Sequence, residues 1–140
     1  MTDDVLVAID AGLRQHIGGD RAGAYATFTA LWASIGPDGD PLHRVALAHH
    51  MADVCDDPAE ELEWDLRALA AAGALTDTQT ARGFYPSLHL NLGEDYRKLG
   101  DPAAAREHLA LARARLDALC DDDYATGIRL ALDGLADRLG

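Results

Sequence analysis

Apolar residues recur along this chain every three or four positions, and the period-two alternation of a strand is nearly absent. Such spacing puts apolar side chains on one face of an α-helix. Proline and glycine divide the pattern into helical lengths. The first predicted helix runs from about Asp3 to Ile17, with Leu6, Ile9, Leu13 and Ile17 on its apolar face. "GGD" stops it and caps a second, whose face carries Ala24, Phe28, Leu31 and Ile35. After the break "GPDGDP", a third carries Leu47, Met51 and Val54. Asp57 as N-cap and Pro58 at the first helical position start a fourth, with Leu62, Leu66 and Leu69, ending near Gly73.

Residues 74–83, "ALTDTQTARG", read as the longest connection, with one short turn closed by Thr76 and Gln79 as a capping box. Pro86 opens the fifth helix, and Asp101 with Pro102 opens the sixth. The sixth aligns Ala105, Leu109, Ala112, Leu116 and Leu119. Acids at 121–123 cap a seventh over 122–139, which buries Ile128, Leu132, Leu135 and Leu139. Seven helices joined mainly by short turns predict an all-α fold of antiparallel neighbours.

The stretch from Pro86 to Leu119 adds a finer rhythm of small and large residues. Two helices that pack closely need glycine or alanine where their backbones approach and bulk where gaps remain. Gly93 and Ala105 suit the approach, Leu92, Tyr96 and Leu109 the gaps, and Gly100 the turn. Leu92, Gly93, Tyr96, Ala105, Leu109 and Ala112 stand at the signature positions of a tetratricopeptide repeat counted from Pro86, and the chain resembles that family here. His89 stands where the family prefers Trp, and Asp117 where it prefers Pro. Gly12, Ala24 and Phe28 fall in register with Gly93, Ala105 and Leu109, 81 positions later, although Gln15 replaces the aromatic. A middle unit, about 41–73, matches more loosely. The expected organisation is one domain over 1–140, an α-solenoid of hairpins at about 3–35, 41–73 and 86–119 with a capping helix.

The resemblance implies a protein- or peptide-binding adaptor without chemistry of its own, in which the first helix of each hairpin lines a concave groove. Carried over by motif position, the groove takes Leu42, Val45, His49, Ala52 and Asp53 from the middle unit, and Ser87, Leu90, Glu94, Arg97 and Lys98 from the best-matching repeat. Some relatives grip a terminal carboxylate with basic and Asn side chains. Asn91, Arg97 and Lys98 are the only hint of that here, and nothing basic answers from the middle helix. The candidate partner-binding set is His49, Asp53, Asn91, Glu94, Arg97 and Lys98; of these His49, Glu94, Arg97 and Lys98 sit opposite or beside the core stripes and are expected to have no packing duty.

Charge narrows the partner. A formal net charge of −12 over 140 residues repels phosphate backbones and anionic membrane surfaces, so neither nucleic acid nor membrane is expected. "MTDDVL" places acids where a signal peptide would carry bases, and the cytoplasm is the expected location, with Cys55 and Cys120 reduced.

The densest ligand-type residues are His43, His49, His50, Asp53 and Cys55. No HEXXH, CXXC, GXSXG or phosphate loop accompanies them. Cys55 follows a helix, where the dipole disfavours a thiolate, so a buried structural thiol is expected. Glu60, Glu61, Glu63 and Asp121–Asp123 sit at helix starts and read as solvated dipole partners. No catalytic residue, metal or cofactor is expected, against the alternative of a small metal- or thiol-dependent helical enzyme. Trp32 and Trp64 read as packing between hairpins, or else as an outer face for homodimerisation. Far-UV circular dichroism should report mostly helix, and a chelator should leave the melting temperature unchanged; stoichiometric zinc in the purified protein would contradict the metal-free expectation.

Overall fold

A computed structural model describes the chain from Asp3 to Gly140, the side chains of Thr78 and Gln79 excepted. Among the described residues it is all-α, with no strand: α1 (Asp4–Ile17), α2 (Arg21–Ile35), α3 (Pro41–Asp53), α4 (Pro58–Ala72), α5 (Thr78–Lys98), α6 (Pro102–Ala114), a 3-10 turn (Leu116–Ala118) and α7 (Asp123–Leu139). An aspartate caps each of these α-helices. Asp3, Asp20, Asp40, Asp57, Asp77, Asp101 and Asp122 each accept a hydrogen bond from an N–H of the helix they precede. Each such cap stabilises by about 1 kcal/mol, so part of the acidic excess is structural.

The chain divides into two compact units, one ending at Ala71 and one beginning at Ala72. In the first, α1 and α2 pack as a hairpin and α3 packs against both. α4 meets α2 through Trp32 and Trp64, whose rings cross edge-to-face at 5.0 Å. In the second, α5 and α6 form the hairpin and α7 covers both. Leu109, Ala112, Ile128, Leu132 and Leu135 make its core, with Leu90, Leu116, Leu119 and Leu139 packed around them.

The two hairpins repeat each other turn for turn. The first helix of each ends on a glycine with positive φ, Gly19 at 90° and Gly100 at 80°. Asp20 N–H returns to the Gln15 carbonyl and Asp101 N–H to that of Tyr96, while the glycine N–H bonds His16 O in one and Arg97 O in the other. This wrapped turn closes the helix and sets the aspartate in place to cap the next. Each first helix then leaves room for a close neighbour at Gly12 and Gly93. A Cβ on Gly12 would meet the Phe28 ring at 2.3 Å; one on Gly93 would meet Leu135 Cδ2 at 2.7 Å and the Ala105 carbonyl at 3.4 Å. Every one of these pairs is separated by 81 positions. Where Gln15 replaces the aromatic, it bonds the Thr27 hydroxyl at 2.6 Å; at the equivalent place Tyr96 stacks on His108. Two different contacts thus fill one site of the repeat.

Several predicted details are corrected. α5 begins at Thr78, and Pro86 lies inside it, fully buried, so the predicted long connection shrinks to 73–77. Proline removes one N–H from the ladder, but its φ is helical and the turns continue through it. Asp77, not Thr76, caps this helix, and the Gln79 side chain of the expected capping box lies outside the described residues. α6 stops at Ala114; Leu116 and Leu119 reach the core from the 3-10 turn and the residue after it. α4 buries Trp64, Ala68, Ala71 and Ala72 in place of the Leu62–Leu66–Leu69 stripe, and Leu66 is exposed. Both faces of α4 are apolar, and the side carrying Trp and Ala packs. On α1, Ile9 and Gly12 are buried while Leu6 and Ile17 are exposed.

The glycines make a graded test. Alanine in a helix interior gains about 1 kcal/mol over glycine. At Gly93 the obstacle is a methyl at the end of a leucine, which can turn away, so Gly93→Ala should be near neutral. At Gly12 the obstacle is a buried ring, so Gly12→Ala should destabilise by about 1–3 kcal/mol in urea unfolding. Gly93→Leu should be damaging on the same scale, and stability equal to the parent would contradict the close approach.

Candidate functional site

The sequence-predicted binding residues fall in both units. In the second, Glu94 of α5 is the centre of an ion cluster: Arg97 Nε donates to it at 3.0 Å, and Arg138 of α7 also bonds it. Its side chain is only 20% exposed. Glu94 therefore does have a packing duty, because its bond to Arg138 ties α5 to α7, whereas Arg97 pairs with it within α5. Asn91 lies one turn earlier, half-buried, and Lys98 is exposed at the last position of α5. In the first unit, His49 is half-buried on α3 with its ring edge against His50 at 5.5 Å, and Asp53 is exposed at the end of that helix. Of the other positions assigned to the groove, Val45, Ala52 and Ser87 are buried.

The ligand-type residues of α3 are dispersed. His43 bonds Asp3, the cap of α1, at 2.7 Å. His50 stacks on Phe28, and burial lowers its pKa. Cys55 Sγ donates to the Met51 carbonyl at 3.3 Å and approaches Glu60 at 3.5 Å. Burial first, and the Glu60 carboxylate second, push its thiol up to about 12, so it stays protonated at neutral pH. Glu60 is not simply solvated. It accepts the Tyr25 hydroxyl at 2.6 Å, and that bond raises the Tyr25 pKa. Tyr25 and Glu60 line a cleft of about 510 Å³ together with Arg21 and Asp56. Arg21 is paired there to Asp56 at 2.8 Å and to the Cys55 carbonyl at 3.0 Å.

Trp32 and Trp64 are packing residues. Trp64 is 7% exposed, and Arg44 and Arg67 cover the faces of Trp32 and Trp64 at 4.1 and 4.3 Å. Sequence reasoning missed two buried carboxyls, Asp65 on α4 and Asp95 on α5, because an apolar pattern carries no signal for them.

It also missed a file of rings in the second unit. Arg115 lies over Tyr85 at 4.5 Å, Tyr85 is parallel to His89 at 6.1 Å, and His108 lies parallel to Tyr96 at 5.4 Å. Between them, His89 and His108 have Nδ1 atoms 3.0 Å apart and ring centroids 5.2 Å apart. The nitrogens therefore face each other, and one must donate while the other accepts. Two protonated rings would set N–H against N–H. Burial, then His108, then Arg115 hold His89 down to about 4; burial also lowers His108, opposed by Glu107. The clue in the sequence was His89 at the tetratricopeptide Trp position, with His108 in register with Thr27.

A depression of about 220 Å³ adjoins this file, lined by Leu75, Ala81, Arg82, Tyr85 and Arg115. Comparison with protein-family models, curated proteins and solved structures gives no match. Among the described residues no helix is long and apolar enough to cross a membrane.

The histidine pair carries a pH dependence. Unfolded histidine titrates near 6.5, while folded His89 titrates near 4. Between these values the unfolded chain binds more protons, so stability is full above about 6.5 and declines as pH falls towards 4. Urea unfolding at stepped pH should show this decline, and His89→Phe should make it shallower, with buried His50 and His108 keeping their share; an equal slope in both proteins would assign the loss elsewhere.

Proposed function

We propose that the chain is a non-catalytic protein- or peptide-binding adaptor built from tetratricopeptide-type hairpins and acting in the cytoplasm. The observation that carries this reading is the 81-residue recurrence of one hairpin design: close-approach glycine, wrapped glycine turn, aspartate cap, alanine and bulky residue. Helical repeats of this kind present extended surfaces to other chains. Several groups whose side chains suggest chemistry are engaged structurally. The Cys55 thiol is protonated, His89 and His108 bond each other, and His43 serves the start of α1. Self-association through the tryptophans lacks support, since they pack on each other.

The binding residues in this reading are His49 and Asp53 on α3, and Asn91, Glu94, Arg97 and Lys98 on α5. Affinity capture from the native cell, then calorimetry with the purified partner, tests it. Arg97→Ala with Lys98→Ala should weaken binding about tenfold or more with little change in melting temperature, because Arg138 still neutralises Glu94. Unchanged affinity in that double variant would remove α5 from the binding surface. A purified protein that turns over a substrate would overturn the non-catalytic reading.

A further inference from the structure

The chain has twice as many acidic as basic residues, and most of its arginines find an acid. Arg14, Arg21, Arg97, Arg113, Arg129 and Arg138 all pair with carboxylates. Arg44 and Arg106 donate to backbone carbonyls, and Arg67 covers Trp64. Among the described residues, Arg67, Arg82 and Arg115 have neither a carboxylate within ion-pair distance nor a carbonyl, and Arg82 and Arg115 line the same depression in the second unit. With acids in such excess, two arginines without a counter-charge in one concavity form a local positive site on a negative surface.

The geometry suits a planar anion. Arg115 lies over Tyr85 with Cζ 4.5 Å from the ring centroid, and a guanidinium carries five N–H groups, so the ring contact does not use up its donors. Arg82 is exposed on the second turn of α5. Leu75, Ala81 and the Tyr85 ring supply apolar wall, and about 220 Å³ admits one side chain. The surrounding charge of −12 rejects polyanions, so the occupant carries one charge on an otherwise apolar body.

We propose that this depression receives the carboxylate of a single Asp or Glu side chain from an otherwise apolar segment of a partner protein, held between Arg82 and Arg115. This rests on the protein-binding reading but uses a surface apart from Asn91, Glu94, Arg97 and Lys98.

The test uses a probe without terminal charges, acetyl-Leu-Glu-Leu-amide, titrated into the full chain and followed by nitrogen–proton NMR. The signals of Leu75, Ala81, Arg82 and Arg115 should move, and acetyl-Leu-Gln-Leu-amide should bind about tenfold more weakly. Arg82→Gln should weaken the Glu probe by about the same factor and leave the melting temperature in place, while Arg113→Gln should change nothing in the titration. As the carboxylate enters, it should offset Arg115 and raise the pH at which His89 titrates. Equal binding of the Gln probe, no movement at millimolar probe, or inorganic phosphate displacing the Glu probe would each overturn the proposal. Arg97→Ala with Lys98→Ala should not affect this titration, so failure here and failure of the adaptor reading give different results.

Discussion

The close approach of paired helices at glycine is the constraint on which the rest depends. Gly12 lies against the Phe28 ring, and Gly93 against Leu135 and the Ala105 carbonyl. Without a side chain at these points the Phe28 ring of α2 can lie directly on α1, and Leu135 of α7 and the Ala105 carbonyl of α6 directly on α5. The bulk of Phe28 and Leu109 then falls beside the contact, buried. A close hairpin needs a tight return, and the wrapped turns at Gly19 and Gly100 provide it. Those turns deliver Asp20 and Asp101 to cap the next helices, so approach, turn and cap form one device used twice.

What varies within that device is the filling. Gln15 with Thr27, and Tyr96 with His108, occupy the same place in the two hairpins, one by hydrogen bond and one by ring stacking. The stacked version extends through His89 and Tyr85 to Arg115. The second hairpin therefore carries a buried, pH-dependent element that the first lacks. The same extension holds Arg115 beside the depression it shares with Arg82, so packing of the file and the charge of that surface are linked.

Charge has two separate uses. Seven aspartates sit as caps, where the positive end of a helix stabilises them, and they say nothing about a partner. Glu94 joins α5 to Arg138 of α7, so one residue assigned to binding by motif position also holds the second unit together. Net charge alone, −12, disfavours polyanions but conceals the two arginines that share a depression, Arg82 and Arg115.

Periodicity and punctuation were enough to determine the all-α class, the start of α6 at Pro102, the extent of α7 and the 81-residue register, because these depend on local propensity and on residue size along one helix. Tertiary structure decided the rest. α4 offers two apolar faces, and only its neighbours choose between Leu66 and Ala68. Pro86 signals a helix start, yet an N–H missing from an otherwise continuous ladder did not outweigh burial of that turn. The pairing of His89 with His108, and the meeting of Arg82 and Arg115 on one depression, bring together residues 19 and 33 positions apart. Helical periodicity links residues three or four apart, so contacts of that range arise only when the hairpin closes.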